Sequence, residues 1–364
     1  MESMNFIERS NIKDMRDKKN LTIYDIAKEA GVSASLVSRV ISGNGSVSEK
    51  NRIKIQKLIQ EKNFRPNALA RGLQKSRTKM IGFVVPHIGN EYFSSVYYQF
   101  EKRASQNGYI TILCNGKSDR EVEHQILKTL EETRVEAVVF MGGRTDLIEI
   151  EDKYVDEINI LNKTIPCVIC SEKAERYGCI GVHINDLTGI NQLVAHLAEQ
   201  GYKSLGILGG NDSTYPSYHK KKLFREAAIK HSLELREEWI IGNSFDPHDG
   251  AESMRQLLKF KNIPEVVCCI NDHVAVGAMN AAIDAGLSIS EDIAITGYDG
   301  VEASILSRPS ITTISPNYSL FGQTLFDAVT ALLEGNSFNR INLIEPEIIV
   351  RESSVKYSMR VSIK

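Results

Sequence analysis

Between Ser33 and Ser42, the side chains Ala34, Ser35, Ser38 and Arg39 fall on one face of a helical repeat, with Leu36, Val37, Val40 and Ile41 on the other. Three short side chains beside a guanidinium let a helix approach a polar partner closely. The guanidinium can then bond two acceptors at once, as the major-groove edge of guanine offers. This is the chemistry of reading base edges, not of making or breaking bonds.

Bond-making chemistry has no comparable constellation. The six cysteines give only Cys167-x-x-Cys170 and Cys268-Cys269 as close pairs. Both lie in apolar runs that read as strands, where residues one or three apart point to opposite faces, so neither pair can grip one metal ion. Buried, reduced thiols are expected. The eight histidines include no His-x-x-x-His pair, and the glycines from Gly206 to Gly210 lack the Lys-Ser/Thr of a phosphate loop. Glu131-Glu132 reads as a solvated helix face. The expectation is therefore no enzyme, no cofactor and no metal. With no run of eighteen apolar residues and no charged-then-apolar leader, the expected location is cytoplasmic, with no membrane partner.

The reading face needs a scaffold, and the flanking residues supply one. Thr22 and Asp25 have the spacing of a capping box, followed by an apolar face of Ile23, Ile26, Ala27 and Ala30. Gly31 suits a sharp corner, and Ser33 is a good N-cap for the reading helix. Ser48 opens a third helix with Ile55, Leu58 and Ile59 inward and Lys50, Arg52, Lys54 and Lys57 outward. The layout is that of a helix-turn-helix. A plain three-helix bundle with a solvated basic face has the same periodicity, but charge favours the DNA reading. Residues 20–79 hold twelve basic and four acidic side chains, a net of +8 in a chain whose total is -2.

Beyond this bundle, Pro66 is expected to stop the third helix and Asn67 to cap a very short fourth. So short a helix should order only when docked. Its Leu69 and Leu73 are either a wedge for a kinked minor groove or part of an interdomain linker.

Taken together, Tyr24-Asp-Ile-Ala, Ala30-Gly-Val-Ser, Val37-Ser-Arg-Val, Phe64-Arg-Pro-Asn67 and Ala68-Leu-Ala-Arg-Gly-Leu73 resemble the LacI/GalR family of bacterial transcriptional regulators. The resemblance continues through Ile81-Gly-Phe-Val-Val-Pro86, Asn271-Asp272, Asp292-Ile-Ala-Ile-Thr-Gly-Tyr-Asp299 and Val350-Arg-Glu-Ser353. It implies DNA contacts from Thr22, Tyr24, Ser33, Ala34, Ser35, Ser38 and Arg39 of the head. Asn67, Ala70 and Leu73 would add contacts from a hinge helix, with Leu73 entering the minor groove at the centre of a pseudo-palindromic operator. Ala34 and Ser35 are too small to discriminate much, which leaves specificity to Arg39 and the hinge. Residues 1–19 depart from the pattern and read as a polar, disordered extension. The head would span 20–63, the hinge 64–79 and the sensor body 80–364.

From Met80 onward, short apolar runs alternate with helical patterns: Ile81–Val85, Ile110–Leu113, Ala137–Met141, Cys167–Cys170, Leu205–Leu208, Val266–Ile270 and Ile293–Thr296. Such alternation predicts parallel sheets covered by helices, and the run is too long for one sheet. The expected fold is an all-α helix-turn-helix head with a hinge helix, joined to a two-lobed α/β body of parallel, doubly wound sheets. The resemblance makes that body like a periplasmic binding protein, with crossovers near His183–Asp186 and Ser315–Asn317 and a return near Asn342. Ligands of such sheets bind at the carboxyl ends of the strands.

The same resemblance implies effector contacts from Tyr92, Phe93, Ser171, Lys220, Phe245 and Asp272. Three positions depart from it: Lys220 stands where Arg is common, Ser171 where an acid is common, and Pro316 where an amide is common. Lysine does not replace a bidentate guanidinium. Losing the acid and the amide removes ordinary sugar-hydroxyl partners. Within the sugar-or-phosphosugar expectation, these departures therefore point to an anionic ligand such as a phosphosugar or to a cleft that has lost its ligand, unless Lys220 to Lys222 is only a solvated run. The implied protein is a homodimeric repressor, a dimer rather than a tetramer since no C-terminal leucine heptad follows. Its effector would separate the hinges and weaken operator binding, by about 1–3 kcal/mol for a typical coupling. A protein corepressor docking near Tyr97–Arg103 is the alternative control. A transporter's solute-binding protein fits poorly with the basic head.

Overall fold

The alternating apolar faces over 23–61 form helices, and the first two begin on side-chain caps and end at left-handed glycines. The structure, a computed structural model, describes residues 21–43, 46–64 and 77–356. The extension over 1–19 and the hinge contacts Asn67, Ala70 and Leu73 lie outside the described residues. The chain divides into two units, a head ending at Thr78 and a body beginning at Lys79.

In the head, α1 (Ile23–Ala30) starts on a reciprocal capping box between Thr22 and Asp25 and stops at Gly31, whose φ of 65° is the left-handed cap the corner needs. Next, α2 (Ala34–Ser42) starts at Ser33, whose hydroxyl accepts from Leu36 N at 3.3 Å. Ser48 precedes α3 (Glu49–Glu61) without a side-chain cap bond. That helix ends before the expected proline stop. Asn63 turns left-handed, with φ 49°, and Phe64 N donates to Ile59 O at 2.9 Å. Phe64 then packs with Ile26, Ala27, Ala30, Val37 and Ile55. It belongs to the head's core, not to the hinge, because an aromatic ring is needed to complete so small a core.

The body holds two six-stranded sheets. One carries β1 (Met80–Val85), β2 (Ile110–Asn115), β3 (Ala137–Phe140), β4 (Cys167–Ile169), β5 (Ile180–Ile184) and β11 (Ile341–Ile344), in the order β11-β5-β4-β3-β1-β2. The other carries β6 (Leu205–Leu208), β7 (Ile240–Ile241), β8 (Val266–Cys269), β9 (Ala294–Tyr298), β10 (Thr312–Pro316) and β12 (Pro346–Ile349), in the order β12-β10-β9-β8-β6-β7. The first lobe's helices are α4 (Glu91–Gln106), α5 (Arg120–Glu132) and α6 (Asp152–Leu161). The chain then adds α7 (Asp186–Glu199), α8 (Tyr215–Lys230), α9 (Pro247–Leu257), α10 (Asp272–Asp284), α11 (Glu302–Leu306) and α12 (Tyr318–Glu334).

The inner strands β1, β3, β4, β6, β8 and β9 are buried on both faces, which explains why they read as apolar runs, whereas the edge strands β2, β11 and β12 are partly exposed. Along β1, Ile81, Phe83 and Val85 face one core while Met80 and Val84 face another. Cys268 and the adjacent Cys269 likewise enter opposite cores. One pairing departs from the all-parallel expectation: β12 runs antiparallel to β10, pairing Thr313 with Ile349. The chain reaches β12 from the first lobe, one residue after β11, instead of by a crossover helix.

Three segments cross between lobes. Asn185 follows β5 and caps α7, and Asn317 follows β10 and caps α12. The third crossing falls at Glu345, between β11 and β12, since Asn342 itself pairs with Val182 inside the first sheet. Asn185 Nδ2 donates to Glu345 Oε1 at 2.8 Å and so ties two crossings together. α12 returns to lie against α4 so closely that a Cβ on Gly322 would stand 2.6 Å from the Gln99 backbone.

Candidate functional site

On the head, α2 turns Ser35 and Arg39 outward, and Tyr24 of α1 is 70% exposed beside them in sequence order. Thr22 and Ser33 are exposed, and both hydroxyls already serve as helix caps. Ser33 Oγ also lies 2.9 Å from Ser35 Oγ, so one of the two hydroxyls donates to the other. Ala34 is half-buried against the head's core, because the first turn of α2 tilts into it, and Ser38 is half-buried as well. The outward face is therefore narrower than the repeat suggests. Lys50, Lys54 and Lys57 are exposed along α3, where Arg52 pairs with Glu49 and Lys57 stands 3.7 Å from Glu61.

In the body, loops at the carboxyl ends of both sheets surround a cleft of about 740 Å³. Tyr92 and Phe93 enter it from the first turn of α4, with ring centroids 5.3 Å apart. Ser171, just after β4, caps a short 3₁₀ turn and hydrogen-bonds Asp146. Phe245, 37% exposed, lines the cleft after β7, and its carbonyl accepts from Asn271 Nδ2 at 2.9 Å. Lys220 projects in from α8, its ammonium 3.3 Å from the Tyr298 ring centroid.

The lysine run is thus not a uniformly solvated one. Lys221 is buried and pairs with Asp212 at 2.7 Å, and Lys222 is exposed.

Asp272 is the correction. It is 0% exposed and does not line the cleft. Its carboxylate accepts from Thr313 Oγ1 at 2.6 Å and from Val301 N at 2.8 Å, which anchors α10 to the end of β10 and the loop after β9. Gly297 is open for it: a Cβ there would stand 2.0 Å from Asp272 Oδ1. Burial pushes this carboxyl up to about 7, against the lowering effect of the Thr313 bond. A group so enclosed holds the lobe's own loops and has no face left for a ligand.

The acids that do face the cleft were not identified from sequence. Asp146 ends the 3₁₀ turn after β3, and its Oδ1 is buried with no hydrogen-bond partner. Burial raises its carboxyl to about 7. Asp299 follows β9 in a left-handed conformation, φ 101°, and burial raises it to about 8 although the Lys220 charge pulls it down. Asp186, at the first crossover, accepts from the Tyr298 hydroxyl. Only one ammonium, that of Lys220, stands among these three acids among the described residues lining the cleft. Arg144 also lines it but is spent: Glu123 Oε2 lies 2.7 Å from its Nε, Glu157 takes another nitrogen, and Arg120 O accepts from Nη2 at 3.2 Å. Four histidines scattered in sequence, His87, His183, His219 and His273, converge here. The signal that marks Asp299 is position, since it directly follows the carboxyl end of β9, whereas Asp146 comes six residues after β3, at the end of the 3₁₀ turn that follows it.

The helical head matches the description "Bacterial regulatory proteins, lacI family" over residues 22–67, and the body matches "Periplasmic binding protein-like domain" over 194–354. The HTH-type transcriptional repressor PurR of Actinobacillus pleuropneumoniae serotype 3 is 31% identical over 340 residues, 91% of this chain and 98% of its own. The chain belongs to the LacI family of transcriptional regulators. Catabolite control protein A of Staphylococcus xylosus is 30% identical over 337 residues, 92% of this chain and 99% of that one. In fold, this LacI-family chain is similar to the Lac repressor dimer bound to operator and the anti-inducer ONPF, with a TM-score of 0.81 over 93% of this chain and 100% of that one at 23% identity. A complex of the regulator CelR with cellobiose is a more distant match, with a TM-score of 0.68 over 92% and 99% at 21% identity. These family relatives are regulators and not enzymes. No helix among the described residues is long and apolar enough to cross a membrane.

Proposed function

We propose that this regulator is a homodimeric repressor whose affinity for a pseudo-palindromic operator is set by a small, uncharged, hydroxyl-rich molecule in the interlobe cleft. The observation that carries the effector reading is the buried, unpartnered Oδ1 of Asp146 on one lobe and the buried Asp299 on the other. A carboxylate can accept several hydrogen bonds, and clustered sugar hydroxyls supply donors without adding charge. Tyr92, Phe93 and Phe245 add apolar ring faces for the carbon skeleton. A phosphosugar is disfavoured. Of the cations lining the cleft, Arg144 and Arg120 are paired with glutamates, which leaves Lys220 to meet the dianion. Asp146 and Asp299, whose buried carboxyls hold their protons until about pH 7 and 8, would be driven further from ionising beside it. The known complexes of similar folds with operator and with cellobiose support the same assignment of roles.

On the head, Arg39 and Ser35 read bases, while Tyr24, Thr22 and Ser33 contact the backbone. Asn67, Ala70 and Leu73 complete the interface from the hinge. Occupancy of the cleft shifts the two-state body and with it the operator affinity. Control by a docked protein finds less support. Of the segment around Tyr97–Arg103, Tyr97 bonds Thr111, Phe100 is buried and Arg103 bonds Gln323, which leaves Tyr98 as the exposed ring.

The deciding experiment pairs two measurements on the purified full chain. Selection from random duplexes should return a palindrome. A thermal-shift screen should show stabilisation by neutral mono- or disaccharides and none by their phosphates. Stabilisation by phosphates alone would overturn the effector reading, and absence of a palindrome would overturn the whole.

A further inference from the structure

Beside the first crossing, where His183 Nδ1 lies 3.9 Å from Glu172, the lobes also touch directly. Glu172, in the 3₁₀ turn after β4, accepts from the Tyr215 hydroxyl of α8 at 2.7 Å. His219, one turn further along α8, places Nε2 at 3.4 Å from the other carboxylate oxygen. The Tyr215 and His219 rings stack at 5.3 Å and 19°, so the two donors are presented as one rigid unit. Lys173 lays its ammonium 4.6 Å from the centre of the Tyr215 ring. Just beside them in sequence, Ile148 N donates to Ser213 O at 3.0 Å, and Leu147 pairs with Thr214 in an isolated antiparallel bridge. First-lobe residues lie on one side of every contact and second-lobe residues on the other. Glu172, Tyr215, His219, Leu147 and Thr214 all form part of the cleft wall.

An exposed carboxylate–cation pair would hold little. Here Glu172 and His219 keep only 30% and 21% of their side-chain surface. A phenol and an imidazole converge on one carboxylate, and such shared networks stabilise more than isolated pairs do. We propose that Glu172, Tyr215 and His219 are positioning residues: they form a clasp that holds the lobes shut along the cleft and limits access to it. The proposal rests on the cleft being the effector site, but its test needs no effector.

Cys170 lines the cleft, whereas Cys114 lies in an outer groove against α5. The rate at which N-ethylmaleimide alkylates each thiol, read by peptide mass on the full chain at neutral pH, therefore reports cleft opening with an internal control. Tyr215→Phe removes the donor, keeps the stacked ring and lies on the lobe opposite Cys170. It should speed modification of Cys170 about fivefold, the worth of one net hydrogen bond, and leave Cys114 unchanged. Glu172→Gln should do the same, and the double variant should be no faster than the faster single one. Unchanged Cys170 in Tyr215→Phe overturns the clasp. So does equal acceleration of both thiols, which would mean general loosening, or additivity in the double variant, which would mean no shared network. A saccharide screen that finds nothing would count against the effector reading and leave these rates as they are.

Discussion

Burial holds the Asp299 carboxyl at about 8 and Asp146 at about 7, far above the ordinary aspartate range. In the unfolded chain each ionises near its usual pKa, so between about pH 4 and pH 8 the folded state holds protons that the unfolded state has released. Stability of the ligand-free body should therefore fall as pH rises through that window, with the full cost present above pH 8. Asp299→Asn removes the charge and keeps the shape. Calorimetry should show its Tm raised by about 2–5 °C at pH 8 and by less at pH 5, while the response to any saccharide is lost. A larger gain at pH 5 would contradict the assignment. On the head, Arg39→Ala should lose about 1–3 kcal/mol of discrimination between operator and random duplex, measured as the ratio of the two affinities. At this scale the sequence was legible where local periodicity decides, as with the outward placement of Ser35 and Arg39 on α2. It was not legible where burial decides. Asp272 and Asp299 are both acids just after strands, and only packing turns one into the lobe and the other toward the cleft.

Elements were easier to read than side chains, because caps and periodicity are local. Thr22 with Asp25, Gly31 and Ser33 all sit at helix ends as their chemistry requires. Thr22→Ala removes one side of the capping box, a loss of about 1 kcal/mol, and amide exchange in α1 should rise roughly fivefold. Strands were legible when they formed apolar runs, and β1, β3, β6 and β8 stand where those runs fall. By contrast, β5 is interrupted by Gly181 and His183, and β7 has only two residues, so neither carries the pattern of a buried strand. The approach of α12 to α4 leaves no sequence signal except Gly322. Gly322→Val inserts atoms against the Gln99 backbone and should cost about 1–3 kcal/mol, seen as a lowered Tm with the head's helices unaffected.

At the level of the whole molecule, the contrast between a head of net +8 and a chain of net -2 makes DNA affinity a salt-dependent quantity. The logarithm of the binding constant should fall linearly with the logarithm of salt concentration. Replacing Lys54 or Lys57 should flatten that slope by about one without altering which sequence is preferred. The two-lobed plan was legible from the count of β–α units, and two of the three crossings were placed correctly. The third was misplaced by three residues because a two-strand return has no helix to announce it.

That return also fixes the order in which the body can be finished during synthesis. β11 (Ile341–Ile344) supplies the edge strand beside β5, so the first sheet stays open until residues 341–344 have left the ribosome. Until then β5 presents bare backbone amides and carbonyls to whatever is near. A polypeptide stopped at residue 340 would carry a finished helical head on an unclosed body, a fragment prone to stick to its neighbours.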